Sequence, residues 1–224
     1  MVVAVSFLLL ISACSPTNST ENKTDTIADS ANAKTNKSSE VVELTGLYAN
    51  HLFISCLNSN DKITLNEGVQ KLDSLYKSVL PNPAYPEQTV FADVKGVLTS
   101  SNGVTSLAIK EVIHVEQKSF KNTCIPYDYW CTGTEPFWQI QISEKEHLID
   151  FYDPMIPKFY HFNFSKPEIK NGITSYISSN NENKISISIK KEKCNGAIDT
   201  PYNYSVEVVL NDKKYSGCAI KYGE

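Results

Sequence analysis

The sequence predicts a mainly β protein: a small OB-like barrel carrying one helix, followed by a second antiparallel β-barrel or sandwich. Three observations carry that expectation. Apolar and polar residues alternate over most of residues 43–224, the pattern of half-buried strands. A single segment, Asn66 to Leu80, instead repeats its apolar residues at helical spacing, and it sits between two pairs of strand-like segments. Beyond Pro126, short alternating runs recur roughly every ten residues with turn-forming residues between them.

The chain opens with an apolar run, Val2 to Ser12, of about 11 residues. That is the length of a signal-peptide core and falls short of the ~20 residues that span a bilayer. No Lys or Arg precedes it, a departure from the usual basic start of a signal. The run closes in Ile11-Ser12-Ala13-Cys14, which resembles the lipobox of bacterial lipoproteins. The resemblance implies a signal peptide over residues 1–13, cleavage before Cys14 and a diacylglycerol on the Cys14 thiol. Each buried methylene of such an anchor contributes about 0.8 kcal/mol, so acylation would hold the protein on a membrane. Ser15 after the cysteine is similar to the outer-membrane pattern. The expected location is the bacterial outer membrane, lipid-anchored and facing the periplasm.

Residues 14–42 are nearly all Ser, Thr, Asn, Asp, Glu, Lys and Ala. Such a stretch buries too little apolar surface to offset the entropy of ordering, so it reads as a lipidated flexible linker.

Residues 43–125 read as the first domain. Leu47 to Leu57 and Asp61 to Leu65 are strand-like, as are Thr89 to Leu98 and Thr105 to Gln117. Between them, Val69, Leu72, Leu75, Tyr76, Val79 and Leu80 mark one face of a helix that Pro81 ends. Strand, strand, helix, strand, strand is the order of an OB-like barrel, provided that Leu47 to Leu57 bends and serves as two strands.

Residues 126–224 contain no convincing helix. Seven strands are expected: Phe137 to Ile142, His147 to Tyr152, Phe159 to Phe164, Thr174 to Ser178, Lys184 to Lys190, Tyr204 to Leu210 and Lys214 to Ile220. Asp153-Pro154, Asn171-Gly172, Asn180-Asn181 and Asn211-Asp212 separate several of them. An up-and-down barrel is favoured over a sandwich.

Composition narrows the function. The chain has no arginine, a formal net charge of −4 and dispersed lysines, so the basic footprint of a nucleic-acid binder is missing. The four histidines and six cysteines form no H-x3-H or C-x2-C pair, which argues against a zinc site. Export makes cross-links the expected fate of Cys56, Cys124, Cys131, Cys194 and Cys218, with one thiol left over because five is odd. No metal and no cofactor are expected.

Thr132-Gly133-Thr134-Glu135-Pro136-Phe137-Trp138 resembles the Gly-(Asn/Thr)-Glu-Pro-Phe-Trp signature of a family of uncharacterised bacterial membrane-associated proteins and lipoproteins. Its far end is similar too, with Cys194 followed by a polar loop, Tyr202-Asn203-Tyr204 and Gly217-Cys218. The family's loop after the first cysteine is richer in Asp, Met and Ser than Asn195 to Thr200. The first half is distantly similar to the OB-like domain of NlpE-type outer-membrane lipoproteins through Gly46-Leu47-Tyr48, Phe53, Cys56, Leu72 to Tyr76, Val94-Lys95-Gly96 and Cys124. The paired-cysteine copper motif of such domains is absent. The resemblance implies disulfides Cys56–Cys124 and Cys194–Cys218. Cys131 is then left over, or displaces Cys124, or joins the C-terminal pair.

Glu135, Phe137 and Trp138 are the candidate binding residues. A carboxylate beside two large aromatics is a conceivable acid–base group, but glycosidase-type chemistry needs a second carboxylate at fixed separation. Nothing in the sequence pairs Asp150 or Asp153 with Glu135. The default for Glu135 is a structural role, and no catalytic residue is assigned. The aromatic cluster Tyr127, Tyr129, Trp130, Phe137, Trp138, Phe151, Tyr152, Phe159, Tyr160 and Phe162 reads chiefly as core, with an exposed patch conceivable around Asp153 to Lys158. The expected function is a non-enzymatic binding or envelope-structure module, its partners being the membrane through the lipid and an envelope protein or cell-wall component. The alternatives are an envelope hydrolase using Glu135 and a lysozyme-inhibitor-like or surface-sensing lipoprotein.

Overall fold

The computed structural model describes residues 40–196 and 202–224. The expected signal peptide, Cys14 and nearly all of the expected linker lie outside the described residues, as do 197–201.

Five strands and one helix form the first element group: β1 (Glu40–Ala49), β2 (Leu52–Ser55), β3 (Lys62–Glu67), α1 (Val69–Val79), β4 (Val90–Ser101) and β5 (Val104–Gln117). They close a barrel in the order β1-β2-β3-β5-β4, with β4 returning to β1 and β3 parallel to β5. That connectivity, with the helix between β3 and β4, is the OB arrangement expected from the element order. The expected bend within Leu47 to Leu57 falls at Asn50-His51, whose φ values of 48° and 63° make the tight turn between β1 and β2. β1 begins at Glu40, paired with Leu98, so the strand takes in the last three residues assigned to the linker.

Helix α1 buries Val69 and Leu72 into the barrel core with Tyr48, Phe53, Val94 and Leu107, while Leu75, Tyr76 and Val79 pack at its margin. Gly68 starts the helix at φ 72° and lies so close to the β5 backbone that a Cβ there would overlap the Ile109 carbonyl. Only glycine satisfies both conditions.

The second group is one antiparallel sheet of nine strands: β6 (Tyr129–Thr134), β7 (Phe137–Ser143), β8 (Leu148–Asp153), β9 (Lys158–Asn163), β10 (Glu168–Lys170), β11 (Ile173–Ser179), β12 (Lys184–Cys194), β13 (Tyr202–Leu210) and β14 (Lys213–Lys221). Their order is β10-β11-β12-β13-β14-β6-β7-β8-β9. The sheet curls into a half-barrel, bringing β9 towards β11. Ser178 Oγ donates to the Asn163 carbonyl at 2.8 Å, and Asn180 Nδ2 donates to the His161 carbonyl at 2.9 Å. The inner face holds Trp138, Ile140, Phe151, Phe162, Tyr176, Ile187 and Val208.

The seven expected strands are present, and two more accompany them. β6 lacks alternation because Tyr129, Trp130 and Cys131 are all buried: its inner face meets the half-barrel core and its outer face meets the first barrel. β10 has three exposed residues, too short for a periodicity to register.

All described residues belong to one compact unit. The barrel docks against the outer face of β6–β9, where Trp130, Gln141, Asp150 and Tyr152 meet Leu80, Tyr85, Val90 and Gln117 around a cavity of about 40 Å³.

Candidate functional site

The β6–β7 hairpin carries the signature residues, and its register explains their division of labour. Thr134 opposes Phe137, Gly133 opposes Trp138 and Thr132 opposes Gln139. Glu135-Pro136, joined by a cis peptide, forms the two-residue loop between them.

Trp138 is fully buried on the inner face, stacked on Phe151 with ring centroids 5.9 Å apart and meeting Tyr215 edge-on. The indole fits because two glycines leave room for it. A Cβ on Gly133 would overlap the indole Nε1 and lie 2.8 Å from the Ser216 carbonyl oxygen. A Cβ on Gly217 would overlap the Thr132 carbonyl and lie 2.9 Å from the indole Cζ2. The indole Nε1–H has no acceptor among the described residues. Gly133, Trp138 and Gly217 are therefore one packing unit spanning β14, β6 and β7. Glu135 and Phe137 stand outside it, both exposed, with Phe137 at 44%.

These exposed residues border an open groove of about 580 Å³. Cys218 opposes Thr132, and Thr132 opposes Gln139, so the three share the outer face, opposite to the core residues Cys131, Ile140 and Ala219. Phe120, Asn195, Gly196, Tyr202 and Glu135 also line the groove. The Cys194–Cys218 disulfide lines the groove and pins the end of β12 to β14. Among the described residues, Glu135 is the one Asp, Glu, Lys or His in the lining. The Lys121 ammonium lies near by, 5.5 Å from the centroid of the Phe120 ring.

Both disulfides implied by the family resemblance are formed. Cys56–Cys124 ties the end of β2 to the segment between the two sheets, and Cys194–Cys218 is the second. Cys131 has no disulfide partner among the described residues; it is buried in the half-barrel core, and that burial raises its thiol pKa well above the ordinary value.

Asp150 and Asp153 are not brought to Glu135. Asp150, on the outer face, accepts a hydrogen bond from the Tyr85 hydroxyl at 3.2 Å and faces His161 Nδ1 at 2.7 Å, at the junction with the barrel. Asp153 is buried, accepts from the Met155 backbone N–H at 3.0 Å and lies 3.8 Å from Lys213 Nζ. Among the described residues no three His, Cys, Asp or Glu side chains are grouped to hold a metal ion. Of the aromatic cluster, Phe137 alone is largely exposed. The exposed patch between Asp153 and Lys158 consists of Met155 and Ile156 rather than rings.

Sequence reasoning missed the polar junction. Lys118 Nζ sits 2.7 Å from Glu146 Oε1, with both side chains almost wholly buried, and Gln141 Nε2 donates to the other Glu146 oxygen. Tyr85 stacks on His161 with ring centres 4.1 Å apart; burial, then the Asp150 charge, raises the tyrosine pKa. No spacing rule could have found these partners, because they come from a loop and a strand end of the barrel and from two hairpins of the nine-stranded sheet.

No family model matches the chain, and neither a curated protein nor a solved structure matches it.

Proposed function

We propose that the chain is a lipid-anchored bacterial envelope protein, tethered through Cys14 to the outer membrane on its periplasmic side, and that it acts by binding rather than by catalysis. The observation that carries the binding reading is the outer-face groove, bordered by the two signature residues that the core does not use, Glu135 and Phe137. Its floor lies on three strands of one sheet, and one wall is held by a disulfide, so little ordering cost attends binding. A hydrolase centred on Glu135 is the weaker reading, because among the described residues no second carboxylate lines the groove.

Capture from envelope extracts by the immobilised full chain tests the proposal. Wild type and the control Ile177→Ala should retain the same envelope component, and Phe137→Ala should lose it. Equal capture by all three would overturn the groove as the binding surface. Palmitate labelling that survives Cys14→Ser would overturn the anchor.

A further inference from the structure

The chemistry of the groove narrows its ligand. Every strand in its floor, β14, β6 and β7, is paired on both sides within the nine-stranded sheet. No free backbone edge is therefore offered, and an extended peptide cannot add itself as a further strand. Hydrogen bonding must come from side chains instead, and these are uncharged: the hydroxyls of Thr132, Thr134 and Ser216 and the amides of Gln139 and Asn195. The one charged lining group among the described residues, Glu135, is acidic and repels phosphate and carboxylate ligands. The half-exposed Phe137 ring supplies an apolar face on the same side of the sheet as Thr132 and Gln139. The volume, about 580 Å³, lies within the usual range of small-ligand sites, and the groove is partly open to solvent, which leaves room for a ligand that extends beyond it.

An aromatic face and a set of neutral hydroxyl and amide groups, with Glu135 as the one charged lining side chain among the described residues, match a ligand rich in hydroxyls with apolar ring faces and no negative charge. We propose that this groove binds a neutral or amino-sugar oligosaccharide, with Phe137 stacking on a sugar ring, Thr134 and Gln139 bonding its hydroxyls, and Glu135 accepting from a hydroxyl or amine. The proposal rests on the binding function above and names its ligand class.

Titration calorimetry of the full chain against β-1,4-linked N-acetylglucosamine tetramer tests it, with oligogalacturonate as the anionic comparison. Binding at about 1 mM or tighter is expected, weakened about tenfold or more by Phe137→Ala and less by Thr134→Val. Leu57→Ala, an exposed apolar change in the turn after β2, should leave it intact. Near-ultraviolet circular dichroism establishes that each variant is folded, and Thr134→Val carries the test if Phe137→Ala is not. No binding of the neutral tetramer, equal or tighter binding of oligogalacturonate, or indifference to both groove variants would each overturn the proposal. If the tetramer fails while envelope extracts still yield a protein captured through Phe137, the sugar assignment falls and the binding function stands.

Discussion

Replacing Lys118 with Met tests whether the barrel and the curled sheet depend on each other. The Lys118 and Glu146 side chains are 9% and 11% exposed and lie 2.7 Å apart, where the segment after β5 meets the β7–β8 hairpin. Lys118→Met keeps most of the aliphatic stem and removes the ammonium, leaving Glu146 as a buried charge with Gln141 as its remaining partner. Breaking a buried pair on one side costs about 3–5 kcal/mol, most of it from the stranded ion. With a urea slope of about 2–3 kcal/mol per molar, the unfolding midpoint should fall by about 1–2.5 M. Lys110→Met is the matched control. Its pair with Glu67 spans 3.7 Å with side chains 57% and 67% exposed, so its loss should cost about 0–1 kcal/mol. The double variant Lys118→Met/Glu146→Met should recover most of the deficit, less about 1 kcal/mol for the stranded Gln141 amide. A Lys118→Met shift no larger than that of Lys110→Met would refute the reasoning, and so would a double variant no better than the single one.

Three further outcomes follow from the structure. Gly133→Ala drives a Cβ into the buried indole and should destabilise by about 1–3 kcal/mol or more, read as a lower melting temperature and altered near-ultraviolet dichroism from Trp138. Chain-entropy arguments give about 4 kcal/mol for the Cys56–Cys124 link, spanning 68 residues, and about 3 kcal/mol for Cys194–Cys218, spanning 24, so Cys56→Ser/Cys124→Ser should cost more in urea than Cys194→Ser/Cys218→Ser. Burial pushes the Tyr204 pKa up from 10.0 to about 12, helped by its hydrogen bond to Glu224, and also raises those of Tyr48, Tyr85 and Tyr176. The unfolded chain therefore releases tyrosine protons first: this stabilisation is complete below the unfolded value near 10 and is lost as pH climbs towards the folded one, so urea midpoints should hold to about pH 10 and drop steeply above it.

Local pattern made much of the fold legible. Alternation revealed β4, β5 and seven strands of the second sheet because each has one face in a core, and helical spacing revealed α1 because Val69 and Leu72 share a buried side. Legibility failed at β6, whose first three residues are all buried, and at β10, whose three residues are all exposed. The candidate site was half legible. Glu135, Phe137 and Trp138 stood out as a motif, but nothing local distinguishes a buried Trp138 from an exposed Phe137. The rest of the groove depends on β14 pairing with β6, a contact between Cys218 and Thr132 that local periodicity does not encode.

That pairing explains why a motif and a distant Gly-Cys belong together. Gly217 makes space for the Trp138 ring from one strand while Gly133 makes it from the next, so the indole locks β14, β6 and β7 at a fixed spacing. Cys218 follows Gly217 with its side chain on the opposite face, where its disulfide ties the end of β12 to β14 and lines the groove. Side-chain alternation thus couples the two faces: inward residues set the strand spacing, and outward residues on those strands inherit it as the geometry of the groove. A change at Gly217 should consequently disturb ligand binding without touching ligand, whereas Phe137→Ala should weaken binding and leave the melting temperature nearly unchanged. Comparing the two variants in paired melting and binding measurements separates the residues that position the groove from those that contact what it holds.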